Sequence, residues 1–409
     1  MERSAFSKLS SLEISTLKLN ALLELTKSIN QNVKTRNLLL IFEEVLKTKL
    51  GIGKLLLFNC NLNDWICLLN SGFDTDSSDF NFEKSLMNYK EISLLETGDH
   101  LRNHSFEIII PVYHKNQALA YLILGDLQEE NLEISPIIKH LPFIQTLTNI
   151  LIVAIENKRL YKRTISQTAM EKELELASDM QKMLFPENLP HTDKVHFHAF
   201  YLPHQEVGGD YYDFIKLNES EFMFCMGDVS GKGMAAALLM SNFQASLRVL
   251  AKYITDLKIL VSELNDLVNQ NAKSEKFITF FIAKYNAETK ELRYINAGHN
   301  PPVLFTYPGH ILLSEGTTGL GMFEELQFLD EGKVVLENKA KILLYTDGAV
   351  EAENEKGDNY GLDRLIKFFL ESSATSPEKL NEFIVNDIYA FKGKQSHVDD
   401  IAVLTGQFF

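Results

Sequence analysis

Two apolar runs of this chain close on an aspartate and two others open on one, and this arrangement limits both how the chain folds and what it does. The runs Glu221–Asp228 (EFMFCMGD) and Lys341–Asp347 (KILLYTD) end on an acid, whereas Asp210–Ile215 (DYYDFI) and Asp399–Leu404 (DDIAVL) begin on one. All four have the β-branched, aromatic and apolar character of strands. If incoming and outgoing strands pair antiparallel in one sheet, the last residue of one lies beside the first of the next, and the four acids gather at one edge. Carboxylates crowded in this way repel one another unless cations neutralise them.

The rest of the chain sets the frame. Its 409 residues, 45% of them hydrophobic, are too many for one ordinary core and read as two domains plus a connection. Fifty-five acidic against forty basic side chains give a formal net charge of -15, which opposes attraction to nucleic acid or to an anionic membrane surface. Cys60, Cys67 and Cys225 have no metal-ligand spacing and form no disulfide pattern. The first residues, MERSAF, lack the basic start, apolar centre and cleavage site of a secretory leader. The stretch 141–155 is interrupted by Gln145, Thr146, Thr148 and Asn149 and falls short of the roughly 20 apolar residues a bilayer span requires. A cytoplasmic protein without nucleic-acid or membrane partners is expected.

Helical spacing of Leu12, Leu19, Leu22, Leu23 and Ile29 predicts a first helix over 11–30, and Thr35 is placed to cap a second from about 38 to 50. Strand patterns at 54–60, 65–69, 107–113 and 118–124 complete an α+β domain over 1–155. The alternating acids of Phe73–Asp79 suggest a calcium loop, but Asp79 stands in place of the required glycine and Ser85 in place of the bidentate glutamate. A helical connector over 156–187 carries the stripe Met170, Leu174, Ala177, Met180 and Leu184. It reads either as a helix packed on its own domain or as a coiled coil that makes a homodimer. From 188 to 409, strands at 277–285, 292–296, 303–307 and 310–313 alternate with helices at 234–253, 256–272, 362–370 and 377–389. A layered sandwich with helices outside is the natural packing.

Carboxylates without His or Cys beside them suit hard cations such as Mg2+ or Mn2+. Two such ions about 3.5–4 Å apart favour hydrolysis of a phosphoester by water rather than by a protein nucleophile. Asp210, Asp228, Asp347 and Asp399 lead the candidates; Asp213, Asp400 and Glu206 rank below them, since acids in turns are common. The segment Gly227–Gly233 (GDVSGKG) is one residue short of a phosphate-binding P-loop and has glycine where that loop needs a hydroxyl. Neither a G-x-S-x-G elbow nor an H-E-x-x-H helix occurs.

The blocks Glu206–Asp213 (EVGGDYYD), Gly227–Gly233, Asn296–Pro302 (NAGHNPP), Tyr345–Glu351 (YTDGAVE) and Asp399–Leu404 together resemble the PPM metal-dependent serine/threonine phosphatases, in their bacterial SpoIIE- and RsbU-like branch. The resemblance implies an α-β-β-α sandwich with two Mn2+ or Mg2+ ions. Asp228 would bridge them, the Val229 carbonyl would bind one, Asp347 and Asp399 the other, and Asp210 would act through water. Asp400 takes the place of Asp399 if that block shifts by one. It further implies a phosphoprotein substrate, an anti-anti-sigma protein of the STAS type in a partner-switching pathway. One departure stands out: the eukaryotic relatives carry Asp-Gly-His where this chain has Asp228-Val-Ser230, which leaves the proton donor unassigned. His299 is a substitute only if its turn is not purely structural. The strands Phe106–Tyr113 and Ala118–Gly125 resemble those of a GAF sensor domain, implying a small ligand or protein regulator there. A catalytically silent phosphoprotein-binding protein of the same fold is the competing reading, disfavoured by the acids retained at every expected position.

Overall fold

The computed structural model describes residues 11–409 apart from 62–63, 74–85, 96–105, 116, 126–137, 139, 273–274, 307–308, 337–338, 372–375, 396 and 398. Beyond Phe73, the supposed calcium loop lies outside the described residues. The chain divides into two units, Met1–Thr168 and Ala169–Phe409.

In the first unit, α1 (Ser11–Asn30) and α2 (Thr35–Glu44), the latter extended by a π turn Val45–Lys49, accompany five antiparallel strands. These are β1 (Lys54–Asn61), β2 (Asp64–Ser71), β3 (Ser93–Leu94), β4 (Ile108–His114) and β5 (Gln117–Gly125), in the order β2-β1-β5-β4-β3. The period-2 alternation of β1 divides its side chains between two cores. Leu55 and Leu57 pack with Leu25, Phe42, Leu46, Ile144 and Leu151 of the helices, whereas Leu56 and Phe58 join Phe73, Phe106 and Tyr121 on the other face. Thr35 does not cap the second helix: it is the first helical residue, and Lys34 stands at the N-cap with no side-chain hydrogen bond. Gly51, at φ +71°, ends that helix in the left-handed conformation a glycine adopts at no steric cost. The long helix α3 (Leu141–Lys182) runs through the boundary at Thr168.

The second unit is four-layered. Strands β7 (Tyr211–Lys216), β8 (Glu221–Val229), β9 (Ile278–Asn286), β10 (Glu291–Ala297) and β13 (Gly316–Thr317) form one sheet, with β14 (Gly332–Val335) also paired to β10. Strands β6 (Val195–Leu202), β11 (Val303–Thr306), β12 (Gly309–Leu312), β15 (Lys341–Tyr345) and β16 (Ile401–Phe408) form the other, in the order β12-β11-β15-β16-β6. Between the sheets, Phe222, Phe224, Met226 and Phe281 of the first meet Phe197, Ile342, Leu344 and Leu404 of the second. The outer face of the first sheet (Met223, Cys225, Phe280, Ile282) is covered by Met240, Leu247, Leu260 and Leu264 of α4 (Met234–Leu250) and α5 (Leu257–Ala272). Leu365, Phe369, Leu380 and Ile384 of α7 (Leu362–Glu371) and α8 (Pro377–Lys392) cover Leu343, Tyr345 and Val403 on the other side. The result is the expected α-β-β-α sandwich.

One expectation needs correction. The acid-bounded strands do not share a sheet: β7 pairs with β8, and β15 with β16, in different layers. Antiparallel pairing gathers each pair of acids, and stacking of the sheets then brings the two pairs together.

Candidate active site

Asp210 immediately precedes β7, and Tyr211 pairs with Gly227, so Asp210 lies beside Asp228 in the adjoining strand. In the other sheet, Tyr345 pairs with Val403; Asp347 follows two residues later and opens the single-turn helix α6 (Asp347–Val350), and Asp399 and Asp400 precede β16. The Gly348 position forces the close approach of these segments, because a Cβ there would lie 2.0 Å from the Asp400 carbonyl oxygen.

The electrostatics show that the carboxylates from both sheets meet. Burial and the charges of Asp347, Asp399 and Asp400 push the Asp228 carboxyl up to about 7. Burial, then Asp228 and Asp400, hold Asp210 well above the ordinary carboxylate range, and burial and Asp399 raise Asp347. Without a counterion these groups cannot all ionise near neutral pH.

Two features fit the cluster to hard divalent cations. Asp210 is 2% exposed, and its Oδ2 is buried with no hydrogen-bond partner among the described residues. Gly209 leaves an open cradle: a Cβ there would lie 3.0 Å from the Val229 carbonyl oxygen and 3.5 Å from Asp228 Oδ1. The Val229 carbonyl and the Asp228 carboxylate therefore border the same space, an all-oxygen donor set suited to Mn2+ or Mg2+.

The lower-ranked acids have other work. Asp400 accepts hydrogen bonds from the backbone N–H groups of His204 through Oδ1 (2.7 Å) and of Gly209 through Oδ2 (2.8 Å), so both oxygens shape the loop before Asp210. Asp213 is fully buried and turned towards α4, where Arg248 Nε and Nη2 donate to it at 2.7 and 2.9 Å and the Tyr211 hydroxyl also bonds to it. Glu206 is exposed.

Neither Ser230, where the resemblance leaves the proton donor unassigned, nor His299, the suggested substitute, is suited to that role. Ser230 Oγ accepts from the Phe277 backbone N–H at 2.9 Å, and its own N–H donates to the Phe277 carbonyl, which ties the chain just past β8 to the start of β9. His299 is 5% exposed, its Nδ1 lies 3.0 Å from Thr279 Oγ1, and burial pushes its pKa down to about 4. It is therefore neutral at pH 7, and its backbone N–H donates to Asn296 Oδ1 at 2.8 Å, which supports the structural reading of that turn.

Several site residues escaped the sequence reading. Lys232 Nζ lies 2.7 Å from Asp399 Oδ2, bringing a cation to the rim. Thr346 is fully buried, accepts from the Ala402 N–H at 2.9 Å and hydrogen-bonds Asp210. The Tyr201 hydroxyl is buried near Asp400 and Asp210, and burial, followed by these two charges, raises its pKa. Lys232 and Thr346 sit inside blocks already singled out, whereas Tyr201 lies in none of them. A separate cluster among the described residues, His191, His196 and Glu378, lies at the other end of β6 and is internally paired, with His196 Nε2 2.6 Å from Glu378 Oε1 and the two imidazoles stacked at 3.7 Å.

The family model described as stage II sporulation protein E (SpoIIE) matches residues 218–409. The phosphoserine phosphatase RsbU of Bacillus subtilis (strain 168) is 28% identical over 237 residues, which cover 57% of this chain and 69% of that protein. The phosphoserine phosphatase RsbP of the same organism is 28% identical over 187 residues, 44% of this chain and only 46% of its own length. Among solved structures, the SiaA-PP2C domain of Pseudomonas aeruginosa matches with a TM-score of 0.54 at 17% identity, over 60% of this chain and 99% of that domain, a likeness of fold. Residues 218–409 thus match the SpoIIE family of PPM-type phosphatase domains, and the sequence there is similar to the phosphoserine phosphatases RsbU and RsbP.

Proposed function

We propose that this protein is a signal-regulated, Mn2+- or Mg2+-dependent phosphoserine/phosphothreonine protein phosphatase. The observation that carries the reading is the convergence of Asp210, Asp228, Asp347 and Asp399 from two sheets on a space bordered by the Val229 carbonyl, with Asp210 Oδ2 buried and unpartnered. Two hard cations, when bound, supply Lewis-acid activation of water and charge neutralisation at the phosphoryl group. Asp228 and the Val229 carbonyl would hold them from the first sheet, and Asp347 and Asp399 from the second. Asp210 stands behind, buried, where it would orient water by hydrogen bonding. The Lys232 ammonium at the rim attracts a phosphate dianion and offsets part of the acidic charge beside it.

The substrate we assign is a phosphoprotein, an anti-anti-sigma protein of the STAS type, in keeping with the names of RsbU and RsbP as phosphoserine phosphatases. The partition we favour is a GAF-like sensor over 1–155 that takes a small ligand or protein regulator, a helical connector over 156–187 and the phosphatase domain over 188–409, in a cytoplasmic homodimer. No helix among the described residues is long and apolar enough to cross a membrane. Exposed Met170, Leu176 and Met180 on α3 support a second copy as partner.

Hydrolysis of a small aryl phosphate with added Mn2+ tests the chemistry. Asp228→Asn and Asp347→Asn should each lower the rate by roughly 100-fold or more, since even second-sphere changes at metal centres cost about 10–100-fold. Turnover independent of metal, or variants as active as the wild type, would overturn the reading. The phosphoprotein lost from a lysate on addition of the enzyme identifies the substrate.

A further inference from the structure

At the end of β6 remote from the carboxylates, three side chains with metal-ligating atoms meet. The turn before β6 folds the chain back on itself: the Thr192 N–H donates to the Val195 carbonyl and the Phe197 N–H to the Pro190 carbonyl, both at 2.9 Å. His191 thereby faces His196 across an antiparallel bridge, and directly opposed residues of such a pair put their side chains on one face of the sheet. The two imidazoles stack with centroids 3.7 Å apart. Val195 and Phe197 enter the core between the sheets, so by the alternation of a strand His196 points the other way, towards α8. Glu378, in the first turn of α8, completes the group with its Oε1 2.6 Å from His196 Nε2. One ligand atom each from His191, His196 and Glu378 lies within 4.8 Å of the other two.

We propose that His191, His196 and Glu378 form a separate metal site, for a borderline divalent cation of the Zn2+ class, that fastens the hairpin entering β6 to the first turn of α8. Two imidazoles with one carboxylate favour Zn2+ over Mg2+, the reverse of the all-oxygen cluster. At ion–ligand distances of about 2.0–2.2 Å, two ligands of a tetrahedral ion stand about 3.4 Å apart. The ion therefore takes the place of the hydrogen shared by His196 and Glu378 and widens that contact by about 0.8 Å. His191 is exposed, so its ring can turn off the stack and direct a nitrogen lone pair at the ion, and water fills the fourth position. The site lies apart from the phosphatase centre: six residues of β6 separate His196 from Leu202, the partner of Ile401 beside Asp400, a span of about 20 Å. Its ligands come from segments 182 residues apart, so they converge only in the folded chain, and binding there adds to stability.

The test titrates the full chain with Zn2+ by calorimetry, in excess Mg2+ to compete at the carboxylate cluster, and follows the thermal midpoint alongside. The wild type should take up Zn2+ and its midpoint should rise. His191→Ala changes an exposed side chain and spares the fold, and Glu378→Gln keeps the shape of its side chain. Each should bind Zn2+ at least about 10-fold more weakly, since even groups behind the ligands of a metal contribute that much, and each should lose the rise in midpoint. Asp228→Asn should bind Zn2+ as the wild type does. Affinity unchanged in either His191→Ala or Glu378→Gln would overturn the proposal, and so would no uptake by the wild type. A loss in Asp228→Asn would assign the ion to the carboxylate cluster and overturn it too.

Discussion

At the scale of single residues, the aspartates are unequal for reasons that lie in their surroundings. Burial, Asp347 and Asp399 raise Asp228, and burial and Asp399 raise Asp347, whereas Asp400 is spent on two backbone N–H groups and Asp213 on Arg248. A pH dependence follows for the metal-free protein. The Asp228 pKa is about 7 in the fold against an ordinary value of 3.8, so its contribution to stability is complete below pH 3.8 and is lost as the pH rises through 7. Asp210 and Asp347 shift in the same direction. In EDTA, the thermal midpoint of Asp228→Asn should therefore gain on that of the wild type as the pH rises from about 4 to 8, and saturating Mn2+ should raise the wild-type midpoint at pH 8 but not the variant's. Thermal scans across pH with and without Mn2+ check both. Gly208→Ala places a methyl group against the Tyr201 hydroxyl and Asp400, and overpacking of this kind costs about 1–3 kcal/mol, measurable by urea denaturation.

At the scale of elements, strands and helices with a strong period were readable, and those built from few residues were not. The expected helices at 234–253, 256–272, 362–370 and 377–389 appear within a few residues as α4, α5, α7 and α8. The two-residue strand β13, the short β14 and the one-turn α6 have too few residues for any period to show. The stripe on the connector was only half right. Leu174, Ala177 and Leu184 are partly buried, but Met170 and Met180 are exposed, and the buried positions between them are Ser178 and Gln181, whose polarity hid the inner face. The link between α4 and β7 was likewise invisible, since Asp213 and Arg248 are 35 residues apart. Arg248→Ala strands the fully buried Asp213 carboxylate. The expected loss is about 3 kcal/mol, at the low end for such pairs because the guanidinium is 42% exposed, and denaturation midpoints measure it.

At the scale of the whole molecule, two expectations concern assembly and control. Removal of residues 1–155 should change the rate or the Mn2+ affinity if the N-terminal domain governs the phosphatase, and unchanged kinetics would show that it does not. Charged substitutions at Met170 and Met180 should convert a dimer to a monomer by light scattering if α3 pairs with a second copy. What the sequence determined by itself was local and compositional: which runs are strands and where acids stand at their ends. These follow from residue type and period, which a linear chain displays directly. Only the tertiary structure decided which carboxylates face one another, because that depends on how two sheets stack and on backbone contacts between Gly208, Gly348 and Asp400 that no spacing encodes. The fold likewise decided that Gln181, on the last turn of α3, meets the Gly208 carbonyl at 2.7 Å.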